Sequence, residues 1–252
     1  IQLSSNRAIK NGTNLEVIFS ICSNLRKINK DIPIILMGYY NIILHYGLID
    51  FVNKGGIVHV SEGSFKTYGV TKDNFNSTDT KKFFRNTRAD ICVVAGSYIL
   101  DNEFLSLLPE KSVNIHLGLS PWYRGSATLF WPTYNLEPWN TGVTLHKMTE
   151  LPDGGGIYAQ SGSILNPEYG VHETATEAIK LGSELLFELV SEFRSGKNIE
   201  VTPQRLVGRS YLFSQFRPEH LIAIYEKFDN RVVKYLTSVY EKLPEPKLIN
   251  NL

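Results

Sequence analysis

Ile34-Ile35-Leu36-Met37 and Ile91-Cys92-Val93-Val94-Ala95 are apolar at every position and short. A strand with apolar side chains on both faces belongs in a sheet covered on both sides, the usual setting of parallel strands. Val113-Asn114-Ile115-His116 is a third strand, apolar at alternate positions. Thr141–Met148 and Gly156–Leu165 also alternate, as antiparallel partners do. Between and around these runs lie segments with helical spacing. Leu15, Ile18, Cys22, Leu25 and Ile28 form one stripe, and residues 42–53, 79–88 and 173–195 suit further helices, the last being the longest. Ile57–Val60 reads as a short strand and residues 61–76 as a polar loop. Two more helices are expected at 217–228 and 230–242. Strands alternating with helices argue for an α/β fold with helices on both faces of the sheet.

The 252 residues leave room for one large domain or two small ones. A net charge of +1 produces no global field that would draw in nucleic acid or an acidic membrane. Cys22 and Cys92 lie inside apolar runs, which suits buried thiols in a reducing compartment rather than a disulfide framework. No apolar run approaches the roughly 18 residues a membrane span needs. The chain opens on Ile1 without a signal-peptide pattern, so a cytoplasmic location is the expectation.

Side chains alternate along a strand, so Asn114 and His116 share one face while Ile115 turns to the core. At the carboxyl end of a parallel strand that face meets the crevice where α/β proteins bind ligands. Further on, Glu150-Leu151-Pro152-Asp153-Gly154-Gly155-Gly156 puts an acid in a turn between two strands. Asn114, His116 and Asp153 together suit acyl transfer to an amine. The oxyanion that develops needs donors, and the attacking amine must lose a proton. Asp153 has two possible tasks there: holding His116 in its charged form, or accepting the proton. Asn-x-His at a strand end is also consistent with plain hydrogen bonding to a neighbouring loop, and the glycine-rich turn with a simple hairpin. Arg124 suits an acceptor phosphate, a folate carboxylate or bracing of its loop. His146 suits either the acceptor pocket or a structural strand position. The aromatic side chains of Trp122, Tyr123, Phe130, Trp131, Tyr134 and Trp139 suit base stacking or core packing. His45, His59, His172 and His220 have no partners at ligand spacing, so no metal site is expected.

Asn114-Ile115-His116, Leu119-Ser120-Pro121-Trp122-Tyr123-Arg124-Gly125, Thr141-Gly142-Val143-Thr144 and Leu151-Pro152-Asp153-Gly154-Gly155-Gly156-Ile157 follow one another in that order. This set resembles the folate-dependent formyltransferases over about residues 78–195. The resemblance implies a Rossmann-like, mostly parallel sheet flanked by helices, with a helical C-terminal extension here. It implies 10-formyltetrahydrofolate as co-substrate and Asn114, His116 and Asp153 as the catalytic residues. It also implies a folate pocket lined by Gly96, Ser97, Tyr98, Ile99 and Leu100 on one side and Thr149, Glu150 and Leu151 on the other. Arg124 and His146 are the candidates for binding the acceptor. His116-Leu117-Gly118-Leu119-Ser120-Pro121 and Phe130-Trp131-Pro132 resemble the branch that modifies amino sugars, so a small amine on a nucleotide-linked sugar is the expected acceptor. A nucleotide or aminoacyl-tRNA acceptor is the alternative.

The first 54 residues follow a different pattern. Ile1–Gly12 and Asp31–Asn41, with Tyr46-Gly47-Leu48 and Phe51, resemble the tryptophan synthase α subunit. That resemblance implies a helix–strand–helix fragment of a β/α barrel. The family's catalytic carboxylates lie upstream of the resembling stretch, so no tryptophan synthase activity is expected. The organisation expected is therefore residues 1–55 as this segment, 56–195 as the catalytic domain and 196–252 as the extension. A replaced amino-terminal half would also suit an inactive relic that acts as a binding module. If it docks poorly, the apolar surface left exposed invites homodimerisation.

Overall fold

The computed structural model describes residues 34–37 by their backbone, and residues 70, 73–205 and 207–252. The helices expected at 14–28 and 42–53, the strand at 57–60, Cys22, His45, His59 and most of the 61–76 loop lie outside the described residues.

β2 (Ile91–Ala95) shows why the sheet needs two cores. Ile91 and Val93 pack on one side with the long helix, whereas Cys92 and Val94 pack on the other with Phe75, Phe84, Leu100 and Phe104. The helix on that second side is α1 (Thr78–Thr87). Ser77 Oγ accepts from Thr80 N–H at its start, and Arg88 leaves its end in the left-handed conformation at φ 51°. A one-turn helix, α2 (Asn102–Leu105), adds Phe104 to the same cluster. The Cys92 thiol is fully buried, and burial pushes its pKa up to about 12.

β1 (Ile34–Met37) runs parallel to β2, with Ile34 opposite Ile91. A strand from the segment that resembles tryptophan synthase therefore joins the sheet. β3 (Lys111–His116) lies parallel on the other flank of β2. β5 (Gly142–His146) and β6 (Ile157–Gly162) follow, each antiparallel to its neighbour. The order is β1-β2-β3-β5-β6, so four strands point one way and β5 the other. The expected sheet and the antiparallel pair at its end are both present.

α4 (Val171–Arg194) covers the first side of the sheet. Its buried stripe includes Val171, Ala178, Ile179, Leu186, Leu189, Val190 and Phe193, the 3.6-residue pattern legible in the sequence. Leu186, Leu189, Val190 and Phe193 meet Val113, Ile115, Val143 and Leu145 of the sheet. Each fully buried aliphatic side chain in such a layer contributes roughly 1.5–3 kcal/mol. A capping contact from far along the chain holds the start of α4, where Val171 N–H donates to Asn230 Oδ1 at 3.0 Å.

The aromatic run of 122–139 builds a third cluster rather than a stacking surface. Tyr123, Phe130 and Trp131 are buried with Val171, Ile224, Val232 and Leu236. They bring together α3 (Trp131–Tyr134), α4, α5 (Pro218–Phe228) and α6 (Val232–Val239). Residues 196–252 contain these two expected helices and also two extended pieces that no periodicity announced. One is β7 (Arg209–Tyr211), which pairs in parallel with β4 (Tyr123–Gly125). The other is the tail, whose Ile249 carbonyl accepts from Gln160 N–H at 2.8 Å on the outer edge of β6. Among the described residues, no helix is long and apolar enough to cross a membrane.

Candidate active site

The carboxyl end of β3 carries Asn114 and His116 on the face opposite the α4 layer, and the cross-strand partner of Asn114 is His146. The loop after β5 returns Asp153 to the same point. His116 Nδ1 lies 3.2 Å from Asp153 Oδ1, and the ring is 5% exposed. His116 Nε2 lies 2.9 Å from the Tyr123 carbonyl. Both ring nitrogens therefore face acceptors, which is the arrangement of an imidazolium. Burial pulls the His116 pKa down, but the Asp153 charge, its hydrogen bond and the Tyr123 carbonyl outweigh this, and the net shift is upward. Arg124 opposes the rise through its own charge.

Asp153 occupies the left-handed region at φ 53°. Aspartate is among the few residue types that enter it readily. Its backbone is gripped there, since Gln204 Nε2 donates to the Asp153 carbonyl at 3.1 Å. Gly125 N–H donates to Asp153 Oδ2 at 2.8 Å. Burial alone would raise the carboxyl pKa; the His116 charge and hydrogen bonds hold it well below the ordinary carboxylate range. Of its two candidate tasks, the geometry favours keeping His116 charged.

His146 completes the group. Its Nδ1 is 2.9 Å from the Lys147 carbonyl, so that nitrogen carries the proton. Nε2 is then the acceptor for Asn114 Nδ2–H at 2.9 Å, with Asp153 Oδ1 farther off at 3.8 Å. His146, one of the two acceptor-binding candidates, thus sits against Asn114 and is 3% exposed. Arg124, the other, lies on β4 with a buried Nε that has no hydrogen-bond partner among the described residues. Below the cluster, a wholly buried network fixes the 118–120 turn: Thr144 Oγ1 donates to Gly118 O at 2.7 Å and Gln160 Nε2 to Ser120 O at 2.6 Å.

The two segments expected to line a folate pocket border one cluster. Tyr98 and Leu100 pack in it beside Met148, which immediately precedes Thr149. Leu100 is buried in that core at 4% exposure, so its side chain belongs to packing. Ile99 is 69% exposed and Leu151 46%, one unpaired aliphatic surface on each segment. Gly96 turns the chain out of β2 at φ 55°, and Ser97 Oγ donates to Tyr98 O at 2.9 Å. Thr149 Oγ1 donates to Leu151 O at 3.1 Å, and Glu150 is exposed. Among the described residues no group of three His, Cys, Asp or Glu side chains is placed to hold a metal ion.

Tyr123 O, Gly125 N–H, Lys147 O and Gln204 were not among the sequence-derived candidates. Three of the four act through main-chain atoms, which leave no side-chain signature.

Stability should record the His116–Asp153 pair. His116 binds its proton more tightly folded than unfolded, where 6.5 is the reference value. Its contribution is complete below pH 6.5 and is lost as pH rises through the raised folded value. Asp153 behaves in the opposite sense, contributing above 3.8 and losing that contribution as pH falls toward its lowered folded value. Urea unfolding of the wild type against Asp153→Asn should show the largest difference between pH 3.8 and 6.5. A difference that does not vary with pH would count against the ion pair.

Fold and site together define a Rossmann-like α/β protein with an amide, an imidazole and a carboxylate gathered at the end of a parallel strand. The methionyl-tRNA formyltransferase of Thermotoga maritima is 31% identical over 177 residues, 69% of this chain and 55% of the relative. The chain thus spans about half the length of that curated relative. In fold it is similar to the formyltransferase PseJ from Anoxybacillus kamchatkensis, solved with UDP-4,6-dideoxy-4-formamido-L-AltNAc and tetrahydrofolate. That likeness has a TM-score of 0.54 and 21% identity over 80% of this chain and 96% of the other. Phosphoribosylglycinamide formyltransferase from Anaplasma phagocytophilum gives a TM-score of 0.58 and 18% identity over 78% and 90%. Over 69% of its length the chain is thus similar in sequence to a formyltransferase, and it shares the fold of formyltransferases. Residues 1–62 match a different family model, the tryptophan synthase alpha chain.

Proposed function

We propose that this chain transfers a formyl group from 10-formyltetrahydrofolate to the primary amine of a small acceptor, a nucleotide-linked amino sugar. The observation that carries the reading is the His116–Asp153 pair at 3.2 Å, buried beside Asn114. Residues 96–100 and 149–151 fit the co-substrate through the exposed aliphatic side chains of Ile99 and Leu151, which offer cover for an apolar ring.

The folate supplies an activated formyl carbon, and the chain supplies position and field. Asn114 Nδ2 turns from His146 Nε2 to donate to the oxygen on which negative charge develops. His116 contributes its charge to the same oxygen, both of its N–H groups being already engaged. Asp153 keeps that charge in place. The acceptor amine attacks the formyl carbon, the bond from that carbon to the folate nitrogen breaks, and the proton that the amine releases goes to the leaving nitrogen. Arg124, on β4 beside the pair, is the candidate for an acceptor phosphate.

The near-neutral charge of +1 favours a small acceptor over tRNA, and the bound UDP-sugar of the PseJ structure supports a sugar nucleotide. The buried Cys92 thiol suits a reducing compartment, and a cytoplasmic location is part of the proposal. The match of residues 1–62 to another family favours a second reading, an inactive relic that binds and does not turn over.

Calorimetric titration with 5-formyltetrahydrofolate, a stable analogue of the donor, separates the two readings when paired with a labelled-formyl transfer assay. Saturation near one site per chain together with transfer to an amino-sugar nucleotide is the expected result. Binding without transfer to any amine supports the relic, and a folded chain that binds no folate overturns the formyltransferase reading.

A further inference from the structure

One loop fastens the proposed catalytic pair to the rest of the molecule, and a segment some eighty residues later in the chain fastens that loop. Residues 121–126 give two main-chain groups to the pair. The Tyr123 carbonyl accepts from His116 Nε2 at 2.9 Å, and Gly125 N–H donates to Asp153 Oδ2 at 2.8 Å. The loop is itself laid against residues 208–211. Arg209 N–H donates to Trp122 O at 2.8 Å, and Ser126 N–H to Tyr211 O at 2.9 Å. Gly125, at φ 88°, lies so close that a Cβ there would meet the Tyr211 carbonyl at 2.1 Å.

The Tyr123 side chain has partners of its own. It is 1% exposed. Its hydroxyl donates to Glu137 Oε2 at 2.5 Å and accepts from Arg209 Nη1 at 3.2 Å and Asn135 Nδ2 at 3.3 Å. Asn135 Nδ2 also donates to Tyr211 Oη at 2.8 Å, and the Tyr211 ring lies parallel to that of Tyr123 at 5.9 Å. Arg209 and Glu137 close the ring of contacts at 3.6 Å. Phenylalanine would fill the same volume, so packing alone does not require the hydroxyl. Burial, reinforced by Glu137, raises the phenol pKa and keeps it a donor. Partners drawn from separate segments of the chain fix the ring in rotation and depth. Ring and carbonyl belong to one residue, so the acceptor of His116 Nε2 is fixed with them.

We propose that Tyr123, clamped through its hydroxyl by Glu137, Asn135 and Arg209, is a positioning residue through which the β7 segment sets the orientation and charge of His116. This rests on the proposed role of His116 in formyl transfer. When the Tyr123 carbonyl drifts, Nε2–H loses its acceptor and the charged imidazole loses a hydrogen bond that favours it. The other charged and titratable groups facing that ring are Asp153 from the β5–β6 loop, Arg124 on β4 and His146 on β5. Tyr123→Phe leaves all three in place.

The test is a pH titration of the imidazole 15N resonances in the full chain, with His172 as the internal reference. Tyr123→Phe is expected to lower the His116 midpoint by roughly half a unit to one unit, the size of one lost hydrogen bond. Arg209→Ala should shift it in the same direction, while Arg209→Lys, which keeps a cationic donor, should restore most of the wild-type value. In the transfer assay kcat is expected to fall roughly tenfold or more with KM for the folate unchanged. If Tyr123→Phe does not fold, Glu137→Gln takes its place in the same titration. A folded variant whose His116 midpoint and ring signals match wild type overturns the proposal, even if its thermal stability has dropped. If the wild type transfers no formyl group, the reaction assignment fails while the titration still decides the coupling.

Discussion

Asn114→Ala is expected to slow formyl transfer roughly 10²–10³-fold, the effect of removing one donor from an oxyanion site. The physical reason lies in what its neighbours are already doing. His116 spends Nδ1 on Asp153 and Nε2 on Tyr123, so its ring contributes charge and no further N–H. Among the described residues Asn114 Nδ2 is bound to His146 Nε2, a partner it exchanges for the developing oxygen. An interaction made in the transition state alone lowers kcat and leaves KM in place. Steady-state rates with labelled donor, alongside calorimetric folate binding, measure both. A loss below tenfold with normal binding would mean that the oxygen is held elsewhere.

Asp153→Asn should have an effect at least as large, roughly 10²–10⁴-fold. The substitution keeps the shape and tolerates the left-handed backbone at φ 53°, and its side-chain oxygen still accepts from Gly125 N–H. What it removes is the charge opposite a fully buried ring. Burial is the largest influence on His116 and acts against protonation. Without the carboxylate, the ring is neutral at pH 7 and the field it casts on the crevice disappears. The same variant should therefore move the His116 imidazole titration below its ordinary 6.5. A rate near wild type, or a His116 that stays charged, would remove Asp153 from the role assigned to it.

Much of the fold was legible because it rests on local patterns. β2 has no polar position, and a strand of that kind must be covered on both faces. α4 announced itself through the repeat from Val171 to Phe193. Alternation placed Asn114 and His116 on one face, and motif order brought Asp153 to them. β4 and β7 were not legible, because three residues apiece carry no period. The aromatic density of 122–139 was ambiguous in sequence, and packing against α5 and α6 resolved it as core. His146 was open between pocket and scaffold, and the β3–β5 register put it against Asn114.

The sequence by itself determined the strands of the five-stranded sheet, the long helix and which side chains could bear charge, since these follow from hydrophobic periodicity and the chemistry of each residue. Only the tertiary structure decided which charges they bear. Against burial, Asp153 and His116 shift each other most, and Tyr123 O and Gly125 N–H add to the effect. Every residue carries a main-chain carbonyl and every residue except proline an N–H, so their effect appears only once folding fixes where each one points.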